Sequence, residues 1–168
     1  HVQTLWKLLK RYEIPVFLFV NKMDQDGTEK EKLLVELQKR LDEKCVDFSI
    51  EQDADSFMEN LAMCDETMLE KYLEGEVISE NEIQSAIEKR HIFPCYFGSA
   101  LKMQGVEEFL DGFEKFTLTK TYPDEFGAKV YKISRDKQGT RLTHLKVTGG
   151  TLKVKTLLKE DEKVDQIR

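Results

Sequence analysis

The chain opens with two apolar patterns of different period. Apolar residues recur at helical spacing near its start: Leu5, Leu8, Leu9 and Tyr12. This spacing predicts a surface helix over residues 3–12, which ends before Pro15. The run from Val16 to Val20 is then continuously apolar and rich in β-branched and aromatic side chains. Such a run predicts a central parallel strand that is buried on both faces.

Capping signals indicate where the next helices begin. Thr28 with Glu31 forms a capping-box pattern, and we expect the helix that follows to end near Lys44. One face of this helix is apolar, at Leu33, Leu34, Leu37 and Leu41. Ser79 with Glu82 forms a second pattern of the same kind and predicts the start of another helix.

The segment between the two capping patterns contains a strand signal and a helix signal. Val46, Phe48 and Ile50 alternate with polar residues, which is typical of a short, half-buried strand. Residues 55–75 are predicted to be helical, with Gly75 at the stop.

A second strand is predicted from Ile92 to Phe97, directly before Gly98-Ser99-Ala100. A periodic helix follows, with apolar positions at Val106, Phe109, Leu110, Phe113 and Phe116. The order helix, strand, helix, inserted small elements, strand, helix predicts an α/β fold, a parallel sheet with flanking helices. We expect residues 1–121 to form this domain, with a helical and strand insert at about 25–90.

The pattern changes after Pro123. Three β-rich runs follow, at Val130 to Ile133, Leu142 to Val147 and Leu152 to Leu157. Turn residues separate them, at Gly139 and Gly149-Gly150. Residues 122–168 are therefore predicted to begin an all-β domain.

Charge is divided unevenly along the chain. The 168 residues include 26 basic and 32 acidic side chains, a net charge of -6, which disfavours nucleic-acid binding driven by overall positive charge. Residues 25–90 contain 19 acidic and 8 basic residues, whereas residues 121–168 contain 7 acidic and 11 basic ones. The acidic segment is most simply a solvated helical face, and the argument against nucleic acid does not hold for the basic C-terminal strands.

Several classes of protein are disfavoured. Three widely spaced cysteines suggest neither a disulfide framework nor a thiolate metal site, and they favour a reducing cytoplasm. The longest apolar run, Ile14 to Val20, is far shorter than the roughly 20 residues that span a bilayer, so no membrane partner is expected. His1, His91 and His144 are scattered, and no metal site is predicted from them.

The strongest candidate for chemistry is Asn21-Lys22-Met23-Asp24, at the carboxyl end of the first predicted strand, where open α/β sheets bind ligands. The carboxylate of Asp24 can accept parallel hydrogen bonds from N1–H and the exocyclic amino group of guanine, a donor pair that adenine lacks on that edge. Lys22 can lay its aliphatic stem along the base, and Asn21 can brace the loop through its amide. The alternative is a polar loop that only caps the strand.

Gly98-Ser99-Ala100-Leu101 follows the second predicted strand. Small residues at a strand end let backbone N–H groups approach a ligand oxygen, here the O6 of guanine. By itself the segment is weak evidence, and without Asn21 to Asp24 a tight strand-to-helix turn would be the better interpretation.

Asn21-Lys22-Met23-Asp24 and Ser99-Ala100-Leu101 together resemble the guanine-recognition motifs of translational GTPases. Leu69 to Gly75, and Phe93-Pro94 before Gly98, resemble elongation factor G and the tetracycline-resistance ribosomal-protection proteins. Residues 127–133, followed by Arg141-Leu142 and Gly149-Gly150, are similar to the opening of the second domain of those proteins, a β-barrel.

The resemblance implies roles for six residues. Asn21 and Asp24 would hold guanine, Lys22 would pack on it, and Ser99, Ala100 and Leu101 would complete the base pocket. Leu101 departs from the Lys that is common at its position, so only its backbone role is implied.

The resemblance also implies ligands and partners. These are GTP or GDP, Mg²⁺ in the intact protein, and the ribosome, with ribosomal RNA at the basic strands and a basic stalk protein at the acidic insert. A short insert favours the ribosomal-protection branch. Elongation factor G and peptide-chain release factor 3 are the alternatives, and a non-enzymatic acidic interaction module is a third.

The sequence contains no Gly-x-x-x-x-Gly-Lys-Ser/Thr phosphate loop. Asp24-Gln25-Asp26-Gly27 spells the Asp-x-x-Gly of a magnesium and switch segment, but it overlaps the base motif, and we interpret it as coincidence. The family carries both parts upstream of the position of His1. We therefore expect an internal fragment, the rear of a P-loop GTPase domain followed by the first strands of a barrel, without GTPase activity of its own.

Overall fold

Three short parallel strands form the sheet of the N-terminal unit: β1 (Leu18–Val20), β2 (Cys45–Asp47) and β3 (Phe93–Phe97). The computed structural model describes residues 1–49, 53–159 and 162–167, which divide into a unit of residues 1–118 and a unit of residues 119–168. The strand order is β1-β3-β2. Both pairings are parallel, which confirms the predicted parallel sheet.

The strand positions correct two expectations. β1 lies at an edge of the sheet that the described residues form, and it is only half-buried, because β3 takes the central place. β2 belongs to the same sheet instead of to a separate insert, and all three of its residues are buried. Phe48 is also buried, whereas Ile50 lies outside the described residues.

Six α-helices are described: α1 (Val2–Arg11), α2 (Lys30–Arg40), α3 (Ala54–Ala62), α4 (Glu66–Leu73), α5 (Glu80–Glu88) and α6 (Val106–Phe116). The capping box predicted at Thr28 is wrong. The Thr28 hydroxyl donates instead to the carbonyls of Met23 and Gln25, both at 2.8 Å. Glu29 is the N-cap residue, so the helix starts one residue later than predicted.

The helix predicted over residues 55–75 is divided in two. The Asp65 carboxylate accepts hydrogen bonds from the backbone N–H groups of Thr67 and Met68, and this N-cap begins a new helix. The prediction at Ser79 is confirmed, since the Glu82 carboxylate accepts from the Ser79 backbone N–H (2.9 Å) and hydroxyl (2.7 Å).

Two apolar clusters pack against the sheet. Neighbouring strand residues point to opposite faces, so Phe93 and Cys95 belong to one cluster and Tyr96 to the other. α1 enters the first cluster through Trp6, which lies edge-on to Phe93 at 4.7 Å. The predicted apolar stripe of α1 is largely exposed, at Leu5, Leu8 and Tyr12.

The C-terminal unit consists of two antiparallel pairs: β4 (Gly127–Arg135) with β5 (Arg141–Gly149), and β6 (Leu157–Lys159) with β7 (Glu162–Lys163). The first two predicted strands are present. The third predicted strand, Leu152 to Leu157, is wrong, because β6 begins only at Leu157. The described residues of this unit form two separate two-stranded sheets and no closed barrel.

No helix in the described part of the chain combines the length and apolar character that a membrane span requires.

Candidate functional site

The carboxyl ends of β1 and β3 bring the two candidate loops together. Val20 pairs with Phe97 in parallel register, so residues 21–24 and 98–101 leave the sheet side by side. The Gly98 N–H donates to the Val20 carbonyl, and the Met23 N–H donates to the Gly98 carbonyl, both at 3.0 Å. These two bonds extend the strand pairing into the loops.

Asn21 connects the loops through one side-chain atom. Its Oδ1 accepts hydrogen bonds from the backbone N–H of Lys22 (2.8 Å) and from that of Ala100 (2.9 Å). Lys22 adopts a left-handed backbone conformation (φ 69°), and its side chain is exposed. The Ala100 N–H is one of the backbone donors that the sequence suggests for the O6 of guanine, and it has a partner within the chain.

Asp24 lies beside the second loop and carries a stabilised negative charge. The Ser99 hydroxyl and then the Lys102 ammonium hold the pKa of Asp24 below its ordinary value, against a smaller opposing effect of burial. Lys102 Nζ is 3.2 Å from Asp24 Oδ2. The carboxylate is therefore ionised at neutral pH and can accept hydrogen bonds from a ligand.

Ser99 is buried and anchors the second loop. It exchanges two backbone hydrogen bonds with Gln104, at 3.0 and 3.1 Å, which close the turn. Gly98 allows this close approach, because a Cβ there would lie 2.9 Å from Phe19 Cζ and closer still to the Gln104 carbonyl. The side chain of Leu101 is 93% exposed, so this residue contributes its backbone at most.

The structure thus brings all six predicted residues to one edge of the sheet, and it adds two that sequence reasoning missed. Lys102 contacts Asp24, and Gln104 fixes the turn. The sequence offered one signal for Lys102. Translational GTPases commonly have a Lys at the position of Leu101, and Lys102 is the next residue.

A second polar cluster lies at the end of β2. Lys30 Nζ is 2.6 Å from Asp47 Oδ2, and Asp47 Oδ1 accepts from the backbone N–H and hydroxyl of Ser49. Lys30 also lies over the ring of Phe97 at 5.6 Å. Because Asp47 is buried and fully paired, this cluster fastens the start of α2 to the sheet.

Within the ranges that the structure describes, no three His, Cys, Asp or Glu side chains come together in a group that could hold a metal ion.

The sequence profile of the elongation factor Tu GTP-binding domain matches residues 1–119. The chain is 23% identical over 175 residues to tetracycline resistance protein TetS of Listeria monocytogenes, covering 95% of this chain and 27% of TetS. It is 26% identical over 228 residues to elongation factor G of Mycoplasma pneumoniae, covering 96% of this chain and 33% of that protein.

A crystal structure of a protein from Thermus thermophilus superimposes with a TM-score of 0.69 at 20% identity. The match covers 90% of this chain and 30% of that one, and it shows a shared fold. The chain spans about a third or less of the length of these relatives.

Parallel strands with flanking helices define an α/β protein. The profile match identifies the family within this class. Because the match covers more than two thirds of its length, the chain belongs to the elongation factor Tu GTP-binding domain family of translational GTPases. The family is described as a GTP-binding domain.

Proposed function

We propose that residues 21–24 and 98–101 form the guanine-recognition part of a nucleotide site. The observation that carries this proposal is the Asn21 bridge, which holds the Ala100 N–H and the loop of Asp24 side by side. An ionised carboxylate next to a backbone donor complements the N1–H, 2-amino and O6 groups of guanine. Adenine would place an acceptor against the carboxylate, which is strongly unfavourable.

The roles follow from this complementarity. Asp24 accepts from the base, the backbone of Ser99, Ala100 and Leu101 lines the O6 side, and Lys22 covers the base plane with its stem. Binding requires Ala100 N–H to be shared with, or released by, Asn21. GTP or GDP is the ligand we propose, with Mg²⁺ as the companion ion of its phosphates only in the intact protein.

The Asp24→Asn variant tests the site. In NMR titrations of the ¹⁵N-labelled chain, we expect GMP to shift the signals of residues 21–24 and 98–101 more than AMP does. Asp24→Asn should weaken GMP about tenfold or more, as expected for loss of charge-assisted hydrogen bonds. It should also favour XMP, because an amide can donate to the O2 of xanthine.

The matched control is Asp26→Asn, an exposed position of the same loop. This variant should bind GMP as the wild type does. If neither GMP nor AMP shifts these signals, the result would support the alternative, an acidic interaction module that does not bind nucleotides.

For the whole protein we propose a ribosome-associated GTPase of the elongation factor G-like family that works in the cytoplasm. Ribosomal protection against tetracycline is the more specific function that the motif resemblance favours. Elongation factor G is an alternative with equal support from the comparisons, at 26% against 23% identity, and release factor 3 is a further one from the motif resemblance. Expression of the gene in a tetracycline-sensitive strain separates these functions, because only ribosomal protection raises the inhibitory concentration of the drug.

We also propose that residues 122–168 begin a barrel domain that contacts ribosomal RNA. In the β4–β5 hairpin, two like-charged pairs face each other across the strands, Lys129 with Lys146 and Arg135 with Arg141. Such pairs repel each other, and phosphate groups would relieve the repulsion. The acidic helices of the 25–90 segment are the proposed surface for a basic stalk protein.

A further inference from the structure

The carboxylate at the centre of the proposed base pocket has a cationic partner within the chain. Lys102 belongs to a short 3₁₀ turn, Ala100–Lys102, and its backbone N–H donates to the Ser99 carbonyl at 3.1 Å. This turn carries the ammonium to within 3.2 Å of Asp24 Oδ2. One of the two oxygens that would contact a base is therefore already paired.

The exposure of the two side chains indicates how firmly they are held. The Asp24 side chain is 22% exposed, whereas that of Lys102 is 55% exposed. The ammonium thus approaches the carboxylate from the solvent side. An ion pair this exposed is weak and can yield its place to a ligand.

Discrimination between purines depends on whether a carboxylate oxygen that receives no hydrogen bond from the base finds another partner. Guanine donates to a carboxylate from N1–H and from its 2-amino group, whereas hypoxanthine has only the N1–H. A pocket of fixed polar groups rejects the analogue that lacks a donor, because an unpaired oxygen is unfavourable. Lys102 can remain on Asp24 Oδ2 in that case and reduce the penalty.

We propose that Lys102 is a specificity-determining residue, which lowers the preference of the base pocket for guanine over purines that lack the 2-amino group. This inference rests on the proposed function, because it requires Asp24 to contact the base. Its consequence is that removal of the ammonium sharpens selectivity. A purely structural role of Lys102 would instead weaken the binding of all purines alike.

The test compares GMP with IMP, which differ only in the 2-amino group. Both are titrated by NMR into the ¹⁵N-labelled wild-type chain, Lys102→Met and Lys102→Arg. We expect the ratio of the IMP to the GMP dissociation constant to rise about two- to fivefold in Lys102→Met, the size that an exposed ion pair allows. Lys102→Arg keeps the positive charge and should stay near the wild-type ratio.

An unchanged or smaller ratio in Lys102→Met, with GMP still preferred over AMP, would overturn the role of Lys102 and leave the proposed function standing. Equal binding of GMP and AMP by the wild type would overturn both. A measurement without ligand tests the ion pair itself. The Asp24 carboxyl, followed by ¹³C NMR, should titrate at higher pH in Lys102→Met, and an unchanged midpoint would also overturn the proposal.

Discussion

At the scale of single residues, one amide oxygen maintains the geometry of the candidate site. Asn21→Ala removes the acceptor of two backbone N–H groups. We expect a loss of about 1 kcal/mol in the free energy of unfolding, as for a typical hydrogen bond, measured by urea denaturation. We also expect faster hydrogen exchange of the Ala100 amide.

Asp26→Ala is the control for Asn21→Ala, because this exposed residue lies in the same polar loop. It should leave the exchange of Ala100 unchanged. If the Ala100 amide exchanges equally fast in Asn21→Ala and the wild type, the bridge does not stabilise the second loop.

The residues of the site were predictable where they belong to the strand ends. Asn21 and Asp24 follow an apolar run, and small residues follow the second one, so parallel pairing must bring them together. Lys102 and Gln104 were not predictable in this way. Their contacts depend on a turn with Met103 in the left-handed region (φ 58°), which the side-chain pattern does not encode.

At the scale of elements, Gly112 decides how closely α6 packs on the sheet. A Cβ at this position would lie 2.6 Å from Tyr96 Cζ and closer still to its hydroxyl oxygen. In a solvated helix Gly→Ala stabilises by about 1 kcal/mol. Here we expect the opposite sign, a loss of roughly 1–3 kcal/mol by urea denaturation, because Tyr96 is buried and cannot move aside.

Two variants check this explanation. Glu114→Ala changes an exposed position of the same helix and should stay within about 0.5 kcal/mol of the wild type. Tyr96→Phe, introduced into Gly112→Ala, removes the nearest atom and should restore part of the stability. A stabilised Gly112→Ala variant would show that α6 and Tyr96 leave room for a methyl group at this position.

The junction of α4 and α5 gives a prediction for pH. Lys71, and then the Ser79 backbone N–H and hydroxyl, lower the pKa of Glu82 from 4.5 to about 2, against a smaller effect of burial. Because the folded pKa is the lower one, the stabilisation is complete above about pH 4.5 and is lost as the pH falls toward 2. The Lys71 and Glu82 side chains are 33% and 31% exposed, so solvent screening weakens the ion pair and the change in stability with pH should be small.

Glu82→Gln is the variant that tests this dependence. It should be less stable than the wild type at pH 7, and the difference should shrink as the pH is lowered below about 4.5. Urea denaturation at several pH values measures both. A difference that does not change with pH would mean that Glu82 acts through its shape alone.

Element boundaries were less predictable than the elements themselves, because polar side chains near a boundary can form hydrogen bonds with several different groups. Thr28 has the sequence of an N-cap but donates to carbonyls before the helix. Asp65 interrupts a continuous helical pattern, and its second oxygen lies 2.6 Å from His91 Nδ1, which is 26 positions away in sequence. A contact at that separation fixes the break in a way that local periodicity does not reveal.

At the scale of the whole molecule, the sequence contains no phosphate loop of the kind that positions a terminal phosphate. We therefore expect this chain to release phosphate from GTP no faster than buffer does. The matched control is Asp24→Asn, purified in the same way. Release that exceeds the background in the wild type and disappears in Asp24→Asn would contradict the prediction.

The parallel α/β class was predictable from the order of helices and strands, but the strand order was not. Cys45, Val46 and Asp47 form too short a run to separate a sheet strand from an inserted one, and their pairing with Phe93, Pro94 and Cys95 closes a long loop. In the C-terminal unit the hairpin was predictable from Gly139, which takes a left-handed turn (φ 85°). The start of β6 was not predictable, because apolar and polar residues alternate from Thr151 to Lys155 as they do in a strand.

The division of the core into two clusters has a use in measuring how the N-terminal unit opens. Cys45 and Cys95 lie in one cluster and Cys64 in the other, all three as buried thiols. Burial raises the pKa of Cys64 to about 11, and hydrogen bonding with Cys45 together with burial raises that of Cys95. Alkylating reagents attack thiolates, so labelling at neutral pH requires the core to open. The labelling rates at Cys64 and Cys95 therefore report separately on the opening of the two faces of the sheet. Equal rates would show that both faces open in one cooperative event.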